Sequence, residues 1–195
     1  MKKIKLVVVG CAGRMGQQLI KEMQNFENMD LIAAIEKKNS PNINKNIKKI
    51  KITSDKEIDF KKADTIIDFS SPSSTLETVK CAEKLKKKLV IGTTGLNANQ
   101  VFKIKNASKK IAIVFAPNMS IGINLLMKFV EKASNILFSN NTSVEILDIH
   151  HKNKKDAPSG TALALAAAVA EGKSFNIKNK STMKPNKIRK KQLGK

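Results

Sequence analysis

The chain has 195 residues, 41% of them hydrophobic, and turn signals recur between its apolar runs; this excludes a disordered chain and bounds the fold to one good core with room for a second small lobe. The formal net charge is +21, but 9 basic residues and no acidic one fall within residues 173–195, and Lys, Asn and Ile are abundant throughout. The excess therefore reads as compositional drift rather than a face for nucleic acid, since charge alone speaks to non-specific contact and there is no Trp or Tyr on which a base could stack.

The first element is Lys5 to Val9, a β-branched apolar run ending in glycine, which predicts a strand buried on both faces and hence a parallel sheet. Its apolar part, Leu6 to Val9 before Cys11, is shorter than the roughly 7 to 15 residues of a signal-peptide core. The two cysteines, Cys11 and Cys81, make no disulfide framework, so the expected compartment is the cytoplasm; no stretch reaches transmembrane length. Met15, Leu19, Ile20, Met23 and Phe26 lie on one helix face, and Leu31 to Ile35 is a second strand. Glu36 to Lys62 reads as a Lys- and Asn-rich loop with one short strand near Ile50 to Ile52. Alternation then resumes: strand Thr65 to Phe69, helix Ser73 to Leu85, strand Leu89 to Ile91, helix Asn97 to Ala107, strand Ile111 to Phe115. This interval predicts right-handed βαβ units in a doubly wound α/β sheet. Ser120 caps a helix to Leu137, Val144 to Ile149 alternates as a half-buried strand, and Ser159 to Ala170 is helical; beyond Gly172 no periodicity survives.

Four segments can carry chemistry. Gly10-Cys11-Ala12-Gly13-Arg14-Met15-Gly16 joins the first strand to the first helix, where a glycine turn lets backbone approach a pyrophosphate resting on the helix N-terminus. The spacing departs from the commoner Gly-x-Gly-x-x-Gly, with Ala12 in place of the middle glycine, but Glu36 ends the next strand where an acid accepts the hydroxyls of an adenosine ribose. Lys37 and Lys38 follow and could pair with a 2′-phosphate, so NADH and NADPH both stay open. Gly92-Thr93-Thr94-Gly95 and Ala116-Pro117-Asn118-Met119-Ser120 each follow a strand; alone they are ordinary turns, together they can line one crevice. Last, His150-His151-Lys152-Asn153-Lys154 leads into a Pro158-Ser159-Gly160-Thr161 helix start. Here histidine can donate a proton, lysine can hold developing charge, and free N–H groups can bind carboxylate. Two adjacent histidines without cysteine or carboxylate spacing make a poor zinc site, and no metal is expected.

The glycine turn, Gly92-Thr93-Thr94-Gly95, Pro117-Asn118-Met119-Ser120-Ile121-Gly122 and the His150-to-Thr161 block, in this order and spacing, resemble the signatures of the 4-hydroxy-tetrahydrodipicolinate reductase (dihydrodipicolinate reductase) family of lysine biosynthesis. The resemblance implies a Rossmann domain over residues 1–120 and an α+β substrate and oligomerisation domain over 121–195, incomplete because family members continue with further strands. It implies a homotetramer, NADH or NADPH as cofactor, and a cyclic dicarboxylate as substrate. Carried over by position, Gly10, Cys11, Ala12, Gly13, Arg14, Met15, Glu36 and Lys37 would bind the cofactor, and Gly92, Thr93, Thr94, Ala116, Pro117, Asn118 and Met119 its nicotinamide end. His150 and Lys154 would be catalytic, with His151, Gly160 and Thr161 on the substrate. The competing readings are another NAD(P)-dependent oxidoreductase of a small amino or keto acid, a non-catalytic dinucleotide-binding fragment, and a basic nucleic-acid-binding protein on a Rossmann scaffold.

Overall fold

A computed structural model describes residues 3–116, 118–137, 144–150 and 158–173. Packing divides the chain into two units, Met1–Pro117 and Asn118–Lys195.

The first unit is built on a seven-stranded sheet. Strand β1 (Ile4–Val9) leads through the glycine turn to helix α1 (Arg14–Glu22) and β2 (Met29–Ile35). A hairpin of β3 (Asn46–Ile47) and β4 (Ile50–Thr53) is followed by α2 (Lys56–Lys62), and then come β5 (Thr65–Asp68), α3 (Pro72–Lys84), β6 (Lys88–Ile91), α4 (Ala98–Ala107) and β7 (Ile113–Phe115). The strand order is β3-β4-β2-β1-β5-β6-β7, every pairing parallel except β3 with β4. The six strands from β4 to β7 thus run 3-2-1-4-5-6, and the order reverses between β1 and β5, where open α/β sheets place their ligand crevice.

Alternation along β1 explains why the sheet is buried on both sides. Val7 and Val9 join Ile35, Phe60, Ile66, Val79, Leu89, Ile91 and Ile104 in one core, so α2, α3 and α4 cover that face. Val8 points the other way with Cys11, Ile20, Ala34 and Ile52, under α1. An apolar run without polar alternation is what such a strand requires.

Three boundaries differ from the sequence reading. Helix α1 ends at Glu22 and gives way to a 3₁₀ turn over Met23–Asn25 instead of continuing to Phe26, which stays half exposed. The segment read as loop contains a second strand and all of α2. Asp55 caps that helix by accepting from the Ile58 N–H at 3.0 Å, acids fill its first turn and lysines its last, which suits the helix dipole, and Phe60 is its one buried side chain. Val144 to Ile149, read as a strand, is not one: no described strand lies beside it to complete a ladder, and Val144, Ile146, Leu147 and Ile149 are exposed.

In the second unit α5 (Ile121–Leu137) packs on α6 (Gly160–Gly172). The helices approach closely at Gly172, where any side chain would collide with the Glu131 carbonyl and Ser134. Ala162, Ala168, Val169 and Ala170 are buried on α6. No helix among the described residues is long and apolar enough to cross a membrane.

Candidate active site

The carboxyl ends of the strands are stitched into one edge by backbone hydrogen bonds, each made by the residue just beyond a strand. Gly10 donates to Ile35 O at 2.9 Å, Phe69 to Val9 O at 3.1 Å, Gly92 to Asp68 O at 2.9 Å and Ala116 to Ile91 O at 3.1 Å. Three segments singled out in the sequence, those at Gly10, Gly92 and Ala116, therefore leave the sheet side by side.

Packing dictates the glycines here. Gly10 sits at φ +79, and a Cβ there would lie 2.5 Å from the Phe69 carbonyl oxygen. A Cβ on Gly16 would drive into the Gly10 carbonyl, and one on Gly92 into the Phe69 ring. The turn is tightened by Gly13 N–H donating to Gly10 O at 3.1 Å. Helix α1 begins at Gly13 with no side-chain cap and no acid in its first turn, so its N-terminal N–H groups are left for an anion. Arg14 and Met15 are exposed on that first turn.

Glu36 reaches the same turn. Its Oε1 accepts from the Ala12 N–H at 2.9 Å while its own N–H donates to Thr53 O at 2.9 Å. The carboxylate is only half-buried, so it can accept further bonds; Lys37 and Lys38 beside it are exposed. Cys11 is fully buried within the turn, and burial, with the nearby Glu36 charge, pushes its thiol from 9.0 up to about 12. A cavity of about 360 Å³ between α1 and the β3–β4 hairpin borders the turn at Ala12 but takes in neither Gly10 nor Glu36; the strand ends, not this cavity, gather the donors and acceptors described above.

Behind the strand ends lies a buried polar cluster that the sequence reading did not single out. Asp68, fully buried, accepts at Oδ1 from the Ser70 N–H at 3.0 Å and the Ser70 hydroxyl at 2.6 Å. The hydroxyls of Thr75 and Thr93 stand 3.3 and 3.2 Å from the same oxygen and 2.9 Å from each other, and Thr93 also accepts from Ser70 N–H at 3.1 Å. One carboxylate thereby ties the end of β5, helix α3 and the Gly92-Thr93 loop together. Thr94 is exposed on that loop. A serine-rich helix start after a strand-final aspartate, Asp68-Phe69-Ser70-Ser71-Pro72, was the available signal.

In the second unit the described residues place His150 beside Asp148, with His150 Nε2 at 2.6 Å from Asp148 Oδ1. Asp148 also accepts from Ser159, the N–H reaching Oδ2 at 2.7 Å and the hydroxyl reaching Oδ1 at 2.9 Å. Ser159 caps α6 by accepting from the Ala162 N–H at 3.1 Å, which leaves the N–H groups of Gly160 and Thr161 without a partner among the described residues. The Ser159 N–H, then its hydroxyl and His150, hold the Asp148 carboxyl below its ordinary range. Asn118 and Met119 open this unit, where the Asn118 side chain accepts from Ser120 N–H at 2.9 Å. Pro117, His151 and Lys154 lie outside the described residues.

A 3-2-1-4-5-6 sheet with an uncapped glycine turn at its switch point and a carboxylate ending the second strand defines a Rossmann-type, dinucleotide-binding oxidoreductase. The comparisons narrow the class. Residues 4–119 match the family model described as dihydrodipicolinate reductase, N-terminus, and residues 122–194 that described as dihydrodipicolinate reductase, C-terminus. The chain is 50% identical over 179 residues to the 4-hydroxy-tetrahydrodipicolinate reductase of Pelagibacter ubique, covering 92% of this chain and 68% of the relative. It is 42% identical over 193 residues to that of Buchnera aphidicola from Cinara cedri, covering 90% of this chain and 67% of the relative. Among solved structures it is similar to a dipicolinate-bound dihydrodipicolinate reductase from a Paenisporosarcina species, with a TM-score of 0.67, 25% identity, and 98% of this chain and 72% of that one covered. The chain belongs to the dihydrodipicolinate reductase family, NAD(P)H-using oxidoreductases of lysine and diaminopimelate biosynthesis.

Proposed function

We propose that this chain reduces 4-hydroxy-tetrahydrodipicolinate to tetrahydrodipicolinate, with a hydride and a proton entering and water leaving. The single observation that carries the cofactor half of this reading is the contact of Glu36 with the glycine turn, which sets a ribose acceptor against the uncapped start of α1. The pyrophosphate would rest on Gly13, Arg14 and Met15, and the close approach enforced at Gly10 keeps the turn free of side chains that would block it. Glu36 accepts the ribose hydroxyls of NADH, or Lys37 offers the charge for the 2′-phosphate of NADPH, so the cofactor is NADH or NADPH. Gly92, Thr93, Thr94 and Ala116 to Met119 line the nicotinamide end. When bound, the dinucleotide supplies the hydride.

The chain's own residues manage the rest. Gly160 and Thr161 offer two backbone donors to a carboxylate, and the dipicolinate held by the Paenisporosarcina neighbour is a ligand of the same cyclic dicarboxylate class. His150 supplies or relays the proton, Lys154 stabilises charge on the reacting ring, and His151 contacts the substrate. On this reading residues 1–120 hold the cofactor and residues 121–195 the substrate. Two free cysteines suit a reducing cytoplasm, and the exposed Ile121, Phe129 and Ile136 of α5 suit burial in a homotetramer.

The test is titration with NADH and NADPH followed by an assay of their oxidation with the cyclic substrate. Glu36→Ala should weaken NADH binding by about 1–3 kcal/mol, the scale of hydrogen bonds to a charged acceptor, and spare NADPH. Unchanged NADH affinity would remove Glu36 from the site.

A further inference from the structure

We propose that Asp148 is a positioning residue, a single carboxylate that orients the His150 ring and at the same time holds Ser159 at the start of α6, tying the proton-carrying group to the helix turn that presents the Gly160 and Thr161 N–H groups. The inference rests on the reading of His150 as the acid-base group.

The two oxygens of Asp148 divide the work. Among the described residues, Oδ2 accepts from the Ser159 N–H, at 2.7 Å. Oδ1 is shared between the Ser159 hydroxyl at 2.9 Å and His150 Nε2 at 2.6 Å. Capping α6 needs neither the imidazole nor Asp148, because Ser159 itself accepts from the Ala162 N–H. The contact with His150 is therefore additional to the helix cap, and it is bought by nothing that the cap requires.

A carboxylate can only accept, so His150 must donate from Nε2. The neutral ring then carries its proton on Nε2 and presents the Nδ1 lone pair outward, and the imidazolium carries its second proton on Nδ1. Nδ1 is thus the atom that exchanges a proton with the substrate, and the Asp148 charge stabilises the imidazolium that donates it. Asp148 and His150 lie two residues apart in the chain, so their contact is local. The reach from Asp148 to Ser159 is set by the fold, across 11 residues.

Asp148→Asn is the informative variant. With its amide oxygen on the Ser159 N–H, its NH₂ faces His150, and the ring must switch to the Nδ1–H tautomer to accept. Nitrogen-15 NMR of the imidazole, assigned with His151→Gln, should show a pyrrole-like Nε2 in the unaltered chain and a pyridine-like Nε2 in Asp148→Asn. Turnover of the cyclic dicarboxylate should fall about 10- to 100-fold in kcat, with KM and NADH affinity changed less than threefold. Ser159→Ala, which removes the α6 cap and one donor to Asp148 Oδ1 but leaves the carboxylate facing the ring, should keep the Nε2–H tautomer.

An Nδ1–H tautomer in the unaltered chain, or an Asp148→Asn variant with normal kcat and an unchanged ring, would overturn the proposal. So would a Ser159→Ala variant whose ring switches to the Nδ1–H tautomer, because the serine and not the carboxylate would then set the ring. Should Asp148→Asn fail to fold, the ring tautomers of the unaltered chain and of Ser159→Ala still decide. His150→Gln separates the underlying reading: normal turnover there removes His150 from catalysis, whatever Asp148 does to its ring.

Discussion

The glycine turn and the His150 segment are built on opposite plans. At the turn, function is left to backbone: Gly10 at φ +79, glycines whose side chains would collide with Phe69 or with Gly10 itself, and helix N–H groups with no cap. Its acidic participant, Glu36, is held by bonds to Ala12 and Thr53, and the neighbouring Gly92-Thr93 loop is tied from below by Asp68. At His150, the proposed function rests on side chains on irregular backbone, held by a few bonds to one exposed carboxylate. A site for a large, rigid dinucleotide can be made by shape and dipoles. A site that must move a proton needs a titratable group whose orientation is set by another side chain. Damage to the first plan should appear as lost binding, and damage to the second as lost turnover.

His150→Gln is the sharpest way to break that division. General acid-base groups contribute about 10²- to 10⁴-fold, so kcat should fall by that factor in a steady-state assay while the NADH dissociation constant stays within about twofold. A large change in NADH affinity would mean the two plans are not separable. Gly10→Ala should do the reverse. A non-glycine residue in left-handed backbone costs about 1–3 kcal/mol, and the Phe69 carbonyl must also move, so NADH affinity should drop about 10- to 100-fold by fluorescence titration, with kcat at saturating NADH retained. If kcat fell while affinity held, the turn would be a catalytic element and the comparison would fail.

Thr93→Val tests the layer beneath. The hydroxyl serves Ser70, Thr75 and Asp68 at once and is buried, so its loss should cost about 1–2 kcal/mol of stability in urea unfolding. NADH affinity should fall by a smaller factor than in Gly10→Ala. A Thr93→Val chain as stable as the original would show that the cluster around Asp68 does not hold the loops in place.

Legibility followed burial. Strands β1, β2, β5 and β6 were readable because residues buried on both faces leave unbroken apolar runs, and the turn was readable because Gly10, Gly13 and Gly16 recur at a fixed spacing between a strand and a helix. Helix α2 was not, since seven residues with one buried side chain among lysines and acids give no period to detect. Val144 to Ile149 misled in the other direction, because alternation is only half of a strand and the ladder partner is invisible to a local pattern. Asp68 and Asp148 escaped for a shared reason. An isolated aspartate reads as solvent-facing, and what gives each one its place is a partner distant in sequence: Thr93 lies 25 residues from Asp68, and Ser159 lies 11 from Asp148.

Cys11 places a thiol in the middle of the turn proposed to carry the dinucleotide. Alkylating agents and peroxides react with the thiolate, not the protonated thiol. With its ionisation pushed from 9.0 up to about 12 by burial and by the Glu36 charge, Cys11 stays protonated at neutral pH. Full burial removes the remaining route of attack, that of an exposed sulfur. Cys11 is thereby a poor target for thiol oxidation, so binding of the dinucleotide at this turn should not be switched off through this residue.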